Sequence, residues 1–350
     1  SCADNIFIVK QLIEKHREFN RETHISFIDF EKAFDRVNRY KMWQILEERG
    51  YPQQLIGMIQ CFYSQTKINV KNKGKISVEI AVNQGVRQGC TLSPTLFSIY
   101  IDDLVRKWKP LVNAGVKISK SKFLNILLFA DDLVIIQNSE AALQRSIFKL
   151  NETCEQYNMK ISLIKTKVMA FIGKEPIRTK IIINNRCIEQ VSHFNYLGSD
   201  VGYDKDYDVD NKICKFQRVC GTINRTFRNK IRNETKLKFY KVMAVPMLAY
   251  GSETWTLNKK QQSKIQASEM KFLRSVKGCT KRDLITNQSI REELGIFNMN
   301  ERLKDLKQNW KEHVERMPDT RITKQIIQYY PRGRRSVGRP RKRWLEDFEG

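Results

Sequence analysis

The sequence lacks any CxxC pair, and its eight cysteines and four histidines are dispersed. Cys214 and Cys220, the closest cysteines, have five residues between them, so no zinc-site spacing is present and reduced thiols are the fitting reading. No apolar run approaches the roughly 18 residues of a membrane helix, because Asp131 and Asp132 interrupt the most apolar stretch, residues 123–136. Internal repeats and low-complexity tracts are missing too, which excludes solenoids and arrays. There is neither an initiator Met nor a charged-then-apolar leader, so we expect no signal peptide and a chain cut from something longer. Acids are scarce: 38 Asp and Glu face 63 Lys and Arg, leaving a net charge of +25. That excess goes far beyond what solubility needs and suits a polyanionic partner.

What is present is a chain of 350 residues, 41% hydrophobic and 29% charged, enough for two or three domains with real cores. Residues 1–199 mix helical periodicity (Ile6, Val9, Leu12, Ile13) with β-rich runs at 25–28, 68–70, 76–82, 123–130, 133–136, 168–172 and 181–183. This is an α+β pattern. From about residue 205 to 310, apolar residues recur at helical spacing (Ile213, Phe216, Val219, Ile223, Phe227), which predicts an all-α module. Residues 331–344 carry Arg332, Arg334, Arg335, Arg339, Arg341, Lys342 and Arg343 with no acid, among Gly and Pro, and read as an exposed basic tail.

The most informative segment is Phe123-Leu-Asn-Ile-Leu-Leu-Phe-Ala-Asp-Asp-Leu-Val-Ile-Ile136, two strand-like runs separated by adjacent acids. Two neighbouring anions between buried strands repel each other and call for a cation, although Asp also serves as an ordinary turn former. His24-Ile-Ser-Phe-Ile-Asp29 is a second apolar strand ending in an acid, which could equally cap the helix-like segment after it. Together, three carboxylates at strand ends supply ligands for two divalent ions roughly 3.5 to 4 Å apart, as in-line phosphoryl transfer requires.

Phe-Ile-Asp29-Phe-Glu-Lys-Ala-Phe34-Asp, Gln84-Gly-Val-Arg-Gln88-Gly89-Cys-Thr-Leu-Ser93-Pro94 and Phe129-Ala-Asp131-Asp132 resemble the successive palm motifs of reverse transcriptases, most closely those of non-LTR (LINE-like) retrotransposons. The resemblance continues through Lys160-Ile-Ser-Leu-Ile-Lys165-Thr166-Lys167, Phe194-Asn-Tyr196-Leu197-Gly198 and Ala249-Tyr-Gly-Ser-Glu-Thr-Trp255. It covers essentially the whole chain.

The resemblance implies a right-hand polymerase palm of antiparallel sheet and helices with a remnant of the fingers at 1–199, a helical thumb at 200–310 and a basic extension at 311–350. It implies an RNA-directed DNA polymerase that extends a DNA primer on an RNA template with dNTPs and two Mg²⁺ ions, Mn²⁺ being a substitute, in the service of DNA integration. Asp29, Asp131 and Asp132 become the catalytic and metal-binding residues. Phe34, five residues beyond Asp29, falls where the family sets a ring against the sugar and so selects dNTP over rNTP; the competing reading is plain packing. Gln88 and Gly89 are expected at the incoming nucleotide, and Ser93-Pro94 at a helix start as N-cap and N1. Lys165 matches a lysine near the pyrophosphate, against a solvated surface lysine. Tyr196, Leu197 and Gly198 match the segment that grips the primer end, against an ordinary hairpin.

Basic residues along the thumb helices (Lys212, Lys215, Arg218, Arg225, Arg228, Lys230, Arg232, Lys236, Lys238, Lys241) are expected to face the phosphates of a template-primer duplex. The tail resembles both a nuclear import signal and the Gly-Arg-Pro core of AT-hooks, which makes Arg339, Arg341, Lys342 and Arg343 nucleic-acid contacts and places an intracellular protein preferentially in the nucleus. Relative to the family the chain starts late, without most of the fingers and without the endonuclease. A catalytically silent fragment that only binds nucleic acid is therefore the alternative. Intact Asp29, Asp131, Asp132, Gln88 and Gly89 favour the polymerase over it, and a DNA-templated polymerase is disfavoured by the same motifs.

Overall fold

In a computed structural model, the structure describes residues 1–112, 115–119, 122–204, 206–227, 231–335 and 342–348. The chain divides into two compact units, one made of Glu22–Ile172 and Pro176–Val191, the other of Ser1–Arg21, Gly173–Glu175 and Ser192–Gly350. The first helix, α1 (Cys2–Glu18), therefore belongs with the C-terminal half, whereas the sequence places it with the palm. Among the described residues no helix is long and apolar enough to cross a membrane.

The first unit is α+β and is built on a mainly antiparallel sheet, in which Glu189–Gln190 pairs in parallel beside Lys167 and Val168. Its central strand β1 (Glu22–Ile28) lies between β3 (Asp132–Gln137) and β4 (Lys167–Ile172), and β2 (Ile126–Phe129) flanks β3. From Thr23 to Ile28 both faces of β1 are buried, so Thr23, His24 and Ser26 are taken out of water together with Ile25, Phe27 and Ile28. The register pairs Ser26 with both Ile135 and Val168. The apolar run expected over 123–130 is divided at Asn125: Phe123–Leu124 pairs with Val116–Lys117, and only the remainder joins the sheet.

Helices α2 (Arg39–Glu48), α3 (Gln53–Ser64), α4 (Ser93–Trp108) and α5 (Glu140–Gln156) complete this unit. On α4, Leu96, Phe97, Tyr100, Ile101, Leu104 and Trp108 are all at most 2% exposed, a stripe at helical spacing that gains roughly 1.5–3 kcal/mol per large side chain by burial. Leu92 is the N-cap of α4, one residue earlier than expected, and no side chain caps it. The Ser93 hydroxyl is instead buried, 3.1 Å from the Tyr63 hydroxyl, and so is spent on the core.

The second unit is mostly helical. Its hairpin of β5 (His193–Tyr196) and β6 (Ser199–Gly202) leads into α6 (Asp206–Phe227), which buries Val209, Ile213, Phe216, Cys220 and Ile223. After a helical segment with a π-turn at Tyr240–Ala244 come α7 (Lys259–Lys277), α8 (Asn287–Leu294), α9 (Met299–Glu315) and α10 (Ile322–Gln328). An Asn258–Gln261 capping box starts α7, and Gly278 at φ +80° ends it.

The basic tail is not wholly exposed. Trp344 is fully buried, packs edge-on against Phe7 at 4.9 Å and donates its indole N–H to the Glu253 carbonyl at 2.7 Å. Arg343 donates its Nε–H to Glu18 at 3.0 Å, and Lys342 pairs with Asp347 at 2.7 Å. Burial of one tryptophan outweighs the solvation preference of its charged neighbours and anchors the segment. Arg339 and Arg341 lie outside the described residues.

Candidate functional site

The strand register sets the acids. Phe129 pairs with Asp132 across β2 and β3, so Ala130 and Asp131 form a two-residue turn in which Ala130 takes φ +52°. Asp131 thus sits in the turn, Asp132 opens β3, and Asp29 directly follows the neighbouring β1. Burial raises the pKa of Asp132, and the nearby charges of Asp131 and then Asp29 raise it further, while Lys165 opposes them. The structure therefore brings Asp29, Asp131, Asp132 and Lys165 into one electrostatic neighbourhood.

Asp29 is held by the segment that carries Lys165. Its carbonyl accepts from the Ser162 N–H at 2.8 Å, and its own N–H reaches the buried Thr166 hydroxyl at 3.4 Å. One Asp29 carboxylate oxygen, Oδ1, is shielded from solvent and accepts no hydrogen bond; the Lys165 ammonium lies 3.4 Å from it as an exposed ion-pair partner. A shielded, unbonded anionic oxygen is the kind of acceptor a hard cation satisfies, and all-carboxylate donors suit Mg²⁺, Mn²⁺ or Ca²⁺ over softer metals. Among the described residues, no three acids, histidines or cysteines close into a ready metal cage. The donor set fits a divalent cation by chemistry and charge, as carboxylates that share a field.

A second cluster lies around Phe34. Its ring stacks on Phe97 with centroids 4.4 Å apart and packs against the core, which is the packing reading of this residue. The loop with Gln88 and Gly89 is clipped to the turn that carries Phe34: Val86 N–H donates to the Phe34 carbonyl at 2.9 Å and Gly85 N–H to the Val37 carbonyl at 2.8 Å. Gly85 takes φ +80°, and a Cβ there would meet the Asp35 backbone at 2.8 Å, so glycine is required by both conformation and space. Gln88 is exposed and donates to Asp35 Oδ1 at 3.2 Å; Gly89, at φ +82°, has open space where a Cβ would point.

Tyr196, Leu197 and Gly198 belong to the other unit, where Leu197 (φ +48°) and Gly198 (φ +77°) make the tight turn between β5 and β6. The Tyr250 hydroxyl donates to the Leu197 carbonyl at 2.8 Å, and a Cβ on Gly198 would come 3.2 Å from the Tyr250 ring. Below the turn, Asp208 accepts from Lys10 at 2.6 Å, the Trp255 indole at 2.7 Å, Ser199 at 3.0 Å and the Asp200 N–H at 2.9 Å, and these cationic and polar partners hold its pKa below the usual value against the cost of burial.

The expected basic face is thinner than its sequence. Lys212 and Lys236 are at most 9% exposed, and Lys212 donates to the Tyr250 carbonyl, which withdraws both from duplex contact. Arg218, Arg225, Arg232, Lys238 and Lys241 are exposed; Arg228 and Lys230 lie outside the described residues. Sequence reading quoted Thr166 and Tyr250 within motifs but gave them no role, and it missed Arg39. The signal for Arg39 was its phase, since Arg39, Met42, Ile45 and Leu46 form the buried stripe of α2.

A family model described as reverse transcriptase (RNA-dependent DNA polymerase) matches residues 2–201. The RNA-directed DNA polymerase from mobile element jockey of Drosophila melanogaster is 24% identical over 319 residues, covering 84% of this chain and 32% of that protein. The retrovirus-related Pol polyprotein from type-1 retrotransposable element R2 of Nasonia vitripennis is 25% identical over 257 residues, 70% of this chain and 24% of that protein. Among solved structures, apo telomerase from Candida tropicalis overlaps with a TM-score of 0.44 at 16% identity, covering 79% of this chain and 45% of that one. The chain spans a third or less of the length of these curated relatives, 32% for the jockey protein and 24% for the R2 polyprotein.

Proposed function

Because the chain belongs to the reverse transcriptase family, we propose that it is the palm-and-thumb part of an RNA-directed DNA polymerase of a non-LTR retrotransposon. It extends a DNA primer on an RNA template with dNTPs. The observation that carries this reading is the shielded, unbonded Asp29 Oδ1 beside Asp131 and Asp132, whose mutual repulsion asks for divalent cations. Asp29, Asp131 and Asp132 would hold two Mg²⁺ ions, with Mn²⁺ as a substitute. Bound there, such ions would supply Lewis-acid chemistry for deprotonation of the primer 3′-OH and for the pyrophosphate leaving group.

The residues of the chain do the rest. Phe34 sets a wall at the sugar, Gln88 and Gly89 receive the nucleotide, and Lys165 places a positive charge beside the carboxylates. Leu197 and Gly198 offer a tight turn to the primer end. Exposed cations of the second unit meet phosphates, as do those of the basic run 331–344 with Arg339, Arg341 and Lys342, while Arg343 is already paired with Glu18; the same run serves nuclear import.

Primer extension on an oligonucleotide-annealed RNA template tests the reading with the parent and Asp131→Asn in parallel. The parent should extend and D131N should lose at least about 10³-fold, with template-primer affinity equal or slightly higher because one anion is gone. Full activity in D131N would remove the metal-site assignment. Absence of extension by the parent, with salt-sensitive duplex binding retained, would favour the binding-only fragment. Independently, saturating Mg²⁺ should raise the Tm of the metal-free parent, by about 2.7 kcal/mol of stabilisation at a hundred times Kd, and should leave Asp29→Asn unmoved.

A further inference from the structure

We propose that Arg39, at the start of α2, is a positioning residue that sets the nucleotide-facing loop and thereby the affinity for the incoming dNTP; this rests on the polymerase reading above. Arg39 is only 9% exposed and spends its guanidinium on three carbonyls, one at the end of α3 and two in the stretch 82–85. Its Nε donates to Gly85 at 2.9 Å, and its Nη1 donates to Val82 at 2.6 Å and to Tyr63 at 3.1 Å. Tyr63 lies in the last turn of α3, where carbonyls lack helical partners and the helix dipole is negative. The guanidinium also sits 4.9 Å from the Tyr63 ring centroid. Among the described residues no carboxylate forms an ion pair with Arg39, so backbone oxygens and the Tyr63 ring compensate a buried charge.

A cation is not buried this way for charge balance, because carbonyl dipoles repay desolvation poorly unless geometry is good. The arrangement instead has the planar fork binding the end of α3, residue 82 and the loop start at Gly85 into one body. From Gly85 the chain runs to Gln88 and Gly89, and the N–H groups of Gly85 and Val86 donate to the carbonyls of Val37 and Phe34. Arg39 therefore fixes the distance between the loop that receives the nucleotide and the turn that carries Phe34. Nothing places it against the reacting atoms.

The test compares parent, Arg39→Lys and Arg39→Met by dNTP titration in primer extension and by hydrogen exchange. Lysine keeps the charge but cannot span three carbonyls. R39K should raise KM for dNTP about tenfold with kcat within about twofold and template-primer affinity unchanged, and R39M should be worse. The amides of Gly85 and Val86 should exchange at least about tenfold faster in R39K, while those of β1 stay protected. An unchanged KM with an opened loop overturns the proposal, as does a fall in kcat and in duplex affinity that merely follows loss of folded protein. If R39M fails to fold, R39K alone decides. A parent that extends no primer overturns the polymerase reading and the nucleotide role with it; loop exchange unaltered in R39K then removes the clip as well.

Discussion

At the scale of single residues, the acids of the site are arranged against their own stability. Burial and the neighbouring Asp131 and Asp29 raise the pKa of Asp132, so the native state keeps that proton to higher pH than the unfolded chain does. Stability is accordingly lost as pH rises from the ordinary carboxylate value, about 3.9, through the raised one. Asp132→Asn should therefore melt higher than the parent at neutral pH without divalent metal, and the difference should vanish below that ordinary value; a lower Tm for D132N at neutral pH would contradict the electrostatic picture. Phe34 differs, since its stack on Phe97 stabilises the unit, and the wall at the sugar is the further role proposed for it. Phe34→Ala should cost about 0.5–1.5 kcal/mol of stacking in addition to lost burial, and should raise ribonucleotide incorporation. An unchanged dNTP/rNTP ratio would leave it a packing residue only.

Single elements show where strain and buried charge are tolerated. The turn between β5 and β6 demands positive φ at two successive residues, and leucine occupies the first of them. Gly198→Ala adds a Cβ at φ +77° against the Tyr250 ring, so it should destabilise the second unit by about 1–2 kcal/mol in denaturant melts. Within the helices of that unit, Glu269 on α7 is fully buried, accepts from the Arg291 guanidinium at 2.6 Å and caps the Met299 N–H at 3.1 Å. Removing the partner leaves an uncompensated carboxylate, so Arg291→Met should cost about 3–5 kcal/mol, partly recovered in the Glu269→Gln/Arg291→Met pair. A double variant whose loss equals the sum of the losses of Arg291→Met and Glu269→Gln alone would mean the two are not coupled.

For the molecule as a whole, the net charge of +25 is the dominant long-range property. Affinity for a template-primer duplex should fall about 10³- to 10⁵-fold between 50 and 200 mM salt if roughly 6–10 phosphates are neutralised. Neutralising exposed Arg218 and Lys238 should lower the slope of log K against log salt by about 1 each, whereas Lys212→Met should leave the slope unchanged and destabilise the fold. The difference follows from burial, since Lys212 is 4% exposed and bound to a carbonyl.

The sequence by itself determined the fold class, the strands that end in Asp29 and Asp131-Asp132, the family and the excess of positive charge. Each of these is written in local order: period-2 and period-3.6 patterns, short motifs and summed composition. Only the tertiary structure decided that α1 joins the C-terminal unit, that Trp344 turns a basic tail into a buried anchor, that Lys212 is withdrawn from the surface and that Arg39 binds three carbonyls. Those outcomes depend on partners up to hundreds of positions away, as Trp344 meets Phe7. A lysine or arginine carries no local mark of whether its charge will meet water, a carbonyl or a phosphate, because burial is set by what the rest of the chain packs against it.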